Sequence, residues 1–175
     1  MSKLQILKKI INTDFHSATN KLEEKECKPP MVIRINDEEG AFEYFLSKFD
    51  IQGKDTFPFF SGISGLKKVC DYILFFEHRS KLRIIISELK VGRDNLNANR
   101  QLDAAEEFIT YLINSAQRIG EEISIQDIKI YKVRFSYSRI SKKRNTKMTD
   151  PLHHVERNLY DYNSDEIRFR YFKHA

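Results

Sequence analysis

Two apolar runs dominate the middle of the chain: YILFF (72–76) and KLRIIISELK (81–90), rich in β-branched and aromatic residues. Only the polar stretch EHRS (77–80) separates them. Runs of this composition read as strands, and so short a connection favours an antiparallel hairpin. If Phe76 pairs with Arg83, Asp71 falls directly opposite Glu88. Directly opposed residues share a sheet face. Glu88 and Lys90 are two apart, so they share a face as well. In this register Asp71, Glu88 and Lys90 converge at one end of the hairpin. A slip of one residue separates Asp71 from Glu88.

Two carboxylates held close repel each other unless something positive sits between them. A divalent cation fits, and hard oxygen ligands favour Mg²⁺ or Mn²⁺. Asp71 and Glu88 are the expected metal ligands, with the backbone carbonyl of Leu89 as a further one. A metal there acidifies a bound water and offsets the charge that builds on a phosphate. Lys90 has three roles open to it: orienting the attacking water, stabilising the phosphate's charge, or acting as a base. The competing view makes these ordinary strand-end charges, with Glu88 paired to Lys90 or an arginine. Against it, Glu88 and Lys90 follow closely on the isoleucine run 84–86, where a charge is costly unless used or paired.

The 175 residues suggest a single domain over 1–175, and 41% apolar with 31% charged residues suits a folded, soluble chain. No apolar run reaches the roughly 18 residues of a membrane helix. The N-terminal MSKLQILKKI interleaves lysines with aliphatics, unlike a signal peptide. Cys27 and Cys70 have no metal-ligand spacing, and a reducing cytoplasm suits them. The net charge of +5 favours a polyanionic partner.

Leu4, Leu7 and Ile11 predict an amphipathic helix over 3–14. MVIRI (31–35) predicts a short strand or extended lead-in. Asp37 is a plausible N-cap for a helix over 37–49, with Phe42, Phe45, Leu46 and Phe49 as its apolar stripe. The cluster FPFF (57–60) lies in a Gly- and Pro-bearing loop and is expected to be buried, as a short first strand. A helix over 95–115 follows the hairpin, with Ala104, Phe108, Tyr111 and Leu112 as its buried stripe. IKIYKVRFSY (128–137) predicts a strand, residues 152–160 a short helix, and 166–172 a last strand. The fold class is α/β: a mixed central sheet flanked by helices.

Asp71 and the Glu88-Leu89-Lys90 tripeptide, in this layout, resemble the active-site motif of the PD-(D/E)xK nuclease superfamily. The resemblance covers about residues 37–137 and implies an αβββαβ core, here with an added N-terminal helix and a C-terminal extension over 138–175. It implies that Asp71, Glu88 and Lys90 are catalytic. It also implies that Gln101, early in the following helix, supports the site as in RecB-like members. Many members place an acid on the preceding helix, for which Glu38, Glu39 and Glu43 are candidates; all three could equally be solvated or serve the helix dipole. Cys70 replaces the motif's proline, and Ala105 stands where RecB-like members carry a tyrosine.

The implied activity is Mg²⁺- or Mn²⁺-dependent hydrolysis of nucleic-acid phosphodiesters, DNA before RNA. The alternatives are an inactive nuclease-like binding or assembly module and an RNA-cleaving effector. Arg93 and Arg100 flank the site and could grip phosphates. A basic patch at Arg139, Lys142, Lys143, Arg144 and Lys147 could follow a nucleic-acid backbone, or be solvated. No separate specificity domain is evident, so a homodimer or a partner subunit could supply recognition. His153 and His154 are adjacent and do not share a face, so a zinc site is disfavoured. Tyr160, Tyr162, Tyr171 and Phe172 are expected in the core.

Overall fold

A computed structural model describes residues 1–26, 30–37, 42–63, 65–91, 95–137 and 150–173. In chain order its main elements are α1 (Lys3–Ile10), β1 (Lys21–Glu24), β2 (Met31–Asn36), β3 (Tyr44–Lys48), β4 (Tyr72–His78) and β5 (Lys81–Val91). Then come α2 (Asn95–Arg118), β6 (Ile128–Tyr137), β7 (Leu152–His154), β8 (Leu159–Tyr162), β9 (Glu166–Arg168) and α3 (Arg170–Lys173). The fold is mixed α/β, with a six-stranded sheet in the order β3-β4-β5-β6-β8-β7 and a three-stranded sheet in the order β1-β2-β9.

The hairpin sets the centre. β4 and β5 pair antiparallel with Phe76 opposite Arg83 and Tyr72 opposite Ser87, the register assumed from the sequence. Two residues make the turn, Arg79 at φ 50° and Ser80 at φ 60°. Positive φ at both central positions matches the twist of the flanking strands, although Asn-Gly is the usual choice. The α1 lysine Lys3 donates to the Ser80 carbonyl at 2.9 Å and ties the turn to the N-terminal helix.

Both faces of the hairpin are covered, which is why its strands are continuously apolar. On one face Ile73, Phe75, Leu82, Ile84 and Ile86 pack with residues of α1 and α2. On the other, Leu74, Phe76, Ile85 and Leu89 pack with Leu22, Ile33, Ile167 and Phe172. The long helix α2 carries the chain across so that β6 enters parallel to β5. It ends in a Schellman motif: Glu121 N–H donates to the Ala116 carbonyl and Gly120 N–H to that of Gln117, with Gly120 at φ 88°.

Several local expectations are corrected. Residues 44–48 are a strand, not part of a helix over 37–49. Phe45 and Phe49 face the helical layer while Leu46 faces the small sheet. A strand buried on both sides thus reproduces the apolar spacing of a helix. The FPFF segment is loop, with Phe59 75% exposed, and not a first strand. The helix before the hairpin among the described residues is α1, which ends at Ile10, not residue 14, and packs against β3 and β4, with β1 and β2 between it and β3 in the chain; a separate 3₁₀ turn follows at Thr13–Phe15. Residues 152–160 hold β7, a 3₁₀ turn and the start of β8 rather than a helix. The last strand stops at Arg168, and α3 takes the rest. Tyr160, Tyr162 and Phe172 are buried, as expected.

The buried stripe of α2 is Ala98, Leu102, Ala105, Ile109, Ile113 and Ala116, rotated from the expected one; Tyr111 is 64% exposed. Small alanines let the helix approach the sheet, and the aromatics fall at its edge. Two unfolding measurements in urea check this picture. Ile109→Ala should cost about 2–5 kcal/mol, whereas Tyr111→Ala should stay within about 0.5 kcal/mol. Arg79→Asn with Ser80→Gly should stabilise by about 1 kcal/mol by relieving the left-handed backbone.

Candidate active site

Asp71 is the residue just before β4, and Glu88 lies opposite it near the end of β5. Glu88 is fully buried and Asp71 nearly so. Each reaches the other's strand through the backbone. Asp71 N–H donates to Glu88 Oε2 at 3.3 Å, and Leu89 N–H donates to Asp71 Oδ2 at 2.7 Å. The ammonium of Lys90 lies 2.7 Å from Glu88 Oε1. The three residues are thus gathered at one end of the hairpin: Lys90 meets Glu88 side chain to side chain, and Asp71 is joined to the Glu88 strand through backbone amides. Leu89 meets Asp71 through its amide, and its side chain is buried among the small-sheet residues.

Burial is the main force on the carboxyls. It pushes Asp71 up to about 6, against the Leu89 amide and Lys90, which pull it down. It pushes Glu88 up to about 8, helped by the negative charge of Asp71 and opposed by Lys90. Burial also pushes the Cys70 thiol well up, with Asp71 and Glu88 adding to the effect. Cys70 is a free, buried thiol and its sulfur donates to the Tyr72 carbonyl, so it serves packing rather than nucleophilic chemistry.

Gln101 sits on α2 and donates from Nε2 to the Val69 carbonyl at 3.3 Å, two residues before Asp71. It fixes the approach of the chain to the site and lines the cleft outside it. That cleft has a volume of about 520 Å³, and Gly65, Lys68, Lys90, Arg100 and Gln101 are on its wall. A second cleft of about 320 Å³ lies on the other side of Lys68 and Gln101, with Asp50, Lys54 and Thr56 on its wall. Arg100 is exposed at the first cleft, where the sequence expects a phosphate contact.

The acid expected on a helix before the hairpin is not supplied by Glu43. Glu43 precedes β3, and its carbonyl accepts from Glu77 N–H at the turn end of β4. Six residues of strand separate that point from Asp71, about 20 Å at the usual rise. Asp50 and Glu24 are the nearby acids instead, and their charges push Asp71 up. The β3–β4 register, with Lys48 opposite Tyr72, puts Asp50 at the Asp71 end. Reading 44–48 as a strand would have found it. The Tyr72 hydroxyl donates to the Glu23 carbonyl and accepts from its amide, which brings the end of β1 and Glu24 close. Glu38, Glu39, Arg93, Lys142, Lys143 and Arg144 lie outside the described residues, as do Arg139 and Lys147.

Two further charged groups, on β6, are buried. Lys132 bridges Asp103 at 3.0 Å and Glu106 at 2.8 Å on α2. Arg134 makes two 2.6 Å hydrogen bonds to Asp161 and one of 3.3 Å to Asn99. His154 also reaches Asp161, at 2.9 Å, while His153 stacks on Tyr160 at 4.1 Å.

Among the described residues no three His, Cys, Asp or Glu side chains gather as a metal cage. The residues present nonetheless fit Mg²⁺ or Mn²⁺: two hard carboxylates, both raised in pKa by burial and Glu88 also by the charge of Asp71, beside a polar cleft with room for water. The chain matches no family model, no curated protein and no solved structure.

The raised carboxyls make stability depend on pH with a definite sign. The folded state holds protons that the unfolded state releases near the ordinary values of 3.8 and 4.5. Their stabilising effect is complete below those values and is lost as pH rises through about 6 and about 8. Thermal melts in metal-free buffer should show Tm falling between about pH 5 and 8, and Glu88→Gln should flatten that fall. Parallel melting curves for parent and variant across this range would refute the assignment.

Proposed function

We propose that the chain is a divalent-metal-dependent nuclease that hydrolyses phosphodiester bonds in nucleic acid, with DNA the preferred substrate. One observation carries the reading: the Asp71 and Glu88 carboxylates are buried at the end of one hairpin, with Lys90 2.7 Å from Glu88, beside a cleft that exposes Lys68 and Arg100. Two like charges and a lysine in one buried place are costly as pure structure, since apolar residues would pack there at less expense. An ion pair alone would need one carboxylate, not two.

Asp71 and Glu88 would hold Mg²⁺ or Mn²⁺, with the Leu89 carbonyl as the expected third protein ligand. The bound ion would supply an acidified water and a counter-charge for the phosphate oxygens. Lys90 sits where the strand leaves the core and opens to the cleft. Its ammonium can hold the attacking water by hydrogen bond and stabilise charge on the scissile phosphate. Gln101 positions: it anchors the Val69 carbonyl and so keeps Asp71 in line with Glu88. Lys68 and Arg100, on the wall of the cleft, would bind backbone phosphates of the substrate.

The test is cleavage of plasmid, single-stranded DNA and RNA with Mg²⁺ or Mn²⁺. Glu88→Ala and Lys90→Ala should each lower the rate on the order of 100-fold or more. A Mg²⁺-induced rise in Tm, present in the parent, should disappear in Glu88→Ala. Cleavage that survives both substitutions sinks the site. A parent that binds nucleic acid but cleaves none of the three substrates would favour a nuclease-like binding module instead.

A further inference from the structure

The segment between β3 and β4 exposes an apolar surface that the catalytic reading leaves unused. Phe59 is 75% exposed, Ile63 66%, Leu66 42% and Phe60 37%. Single exposed apolar side chains are ordinary, but four on one short loop are not. The loop is also well anchored. Phe57 packs its ring 5.6 Å from Phe108 of α2, and Phe108 in turn meets Phe49 at 5.1 Å. Asp55 accepts the Phe57 N–H at 3.0 Å and pairs with Lys67, closing the base of the loop. Phe59 and Phe60 stand outward from that anchor, their rings 6.0 and 5.7 Å from Phe57 and 4.6 Å from each other.

The loop that carries these rings also helps to line a cleft with Lys68, Lys90 and Arg100 on its wall, which tells against an apolar protein partner or a lipid interior. The same loop reaches the large cleft through Gly65 and Lys68, and Lys90 and Arg100 are also on its wall. The neighbouring cleft is of mixed charge, with Lys54 and Lys67 paired to Asp14 and Asp55, so the cations open to a strand are those of the large cleft. Aromatic faces next to a track of cations are the arrangement that holds single strands: rings stack on bases while cations take phosphates. Inside a duplex the base faces are already stacked, so such rings act only on unpaired bases.

We propose that Phe59 and Phe60 stack on unpaired bases of the substrate strand, whose phosphates lie against Lys68 and Arg100 in the adjoining cleft. This rests on the nuclease reading and sharpens it: the preferred substrate is a nucleic acid with an unpaired region at the cut. The ligand chemistry is common to DNA and RNA.

Binding is measured by fluorescence anisotropy with Ca²⁺ in place of Mg²⁺, so that affinity is read whether or not the bond breaks. The probes are a short labelled single-stranded DNA, the RNA of the same sequence, and the blunt DNA duplex. Combining Phe59→Ala with Phe60→Ala should weaken binding of at least one single strand by roughly 10-fold or more and leave the duplex nearly unchanged. The two single-strand probes tell whether the site takes DNA, RNA or both. Phe59→Trp should retain most of the affinity. Lys68→Ala with Arg100→Ala should weaken all strands that the parent binds, and more so at low salt. The proposal is overturned if the paired phenylalanine variant binds both single strands like the parent, or loses the duplex to the same degree. It is overturned too if the parent binds neither single strand. Ring-dependent strand binding without cleavage would sink the nuclease reading alone; cleavage with ring-independent binding would sink this inference alone.

Discussion

Everything at the site depends on how two like charges are tolerated at the end of a hairpin. Asp71 and Glu88 do not meet side chain to side chain. Each carboxylate instead takes an amide from the other's strand: Asp71 N–H for Glu88, Leu89 N–H for Asp71. Hydrogen bonds to charged groups contribute about 1.5–3 kcal/mol each. This reciprocal clasp extends the β4–β5 ladder by one step and places backbone dipoles where a counter-charge is wanted. Lys90 supplies a full positive charge in contact with Glu88. The remaining burden is seen in the carboxyls themselves, which bind protons more tightly than they would in water.

The clasp holds only because other parts keep its two ends still. Gln101 of α2 grips the chain two residues before Asp71. The helix is in turn pinned to β6 by charge: Lys132 to Asp103 and Glu106, Arg134 to Asn99. These contacts lie on the face of the sheet that also carries Glu88, since Arg134 is its partner across β5 and β6. The helical face is therefore apolar where α1 and α2 cover β4 and the start of β5, and ionic where the parallel strands end. Polar groups in such a position must all be paired, and a chain that pays for that pairing gains a rigid platform for a cleft.

How much of this was legible in the sequence depends on how many faces each element buries. The hairpin was readable from two apolar runs and a short polar connection; its register entered as an assumption, and the pairing of Phe76 with Arg83 matches it. β3 was not. Buried on both sides, its YFLSK segment has no alternation, and Phe42, Phe45, Leu46 and Phe49 imitate a helix. That misreading moved the search for a third acid to Glu38, Glu39 and Glu43, away from Asp50. The alternation of Tyr131, Val133 and Phe135 with Lys132 and Arg134 was read correctly as a strand, but its polar side is covered by α2 rather than by water. Pattern separates faces; it does not say what covers them. Aromatic content misled in the same way at Phe59 and Tyr111, where rings stand in solvent.

The turn at Arg79 and Ser80 has a role out of proportion to its size. It touches no part of the site, and its own backbone is in an uncomfortable conformation. Yet the alignment of Asp71 with Glu88 is counted outward from it, residue by residue, along both strands. Side-chain changes there leave the count intact. Gaining or losing a single residue would not: the two carboxylates would swing to opposite sides of the sheet while the hydrophobic runs still found partners. For this chain, loop length at the distant end of the hairpin is itself part of what builds the carboxylate pair, and tolerance to point substitution there coexists with intolerance to insertion and deletion.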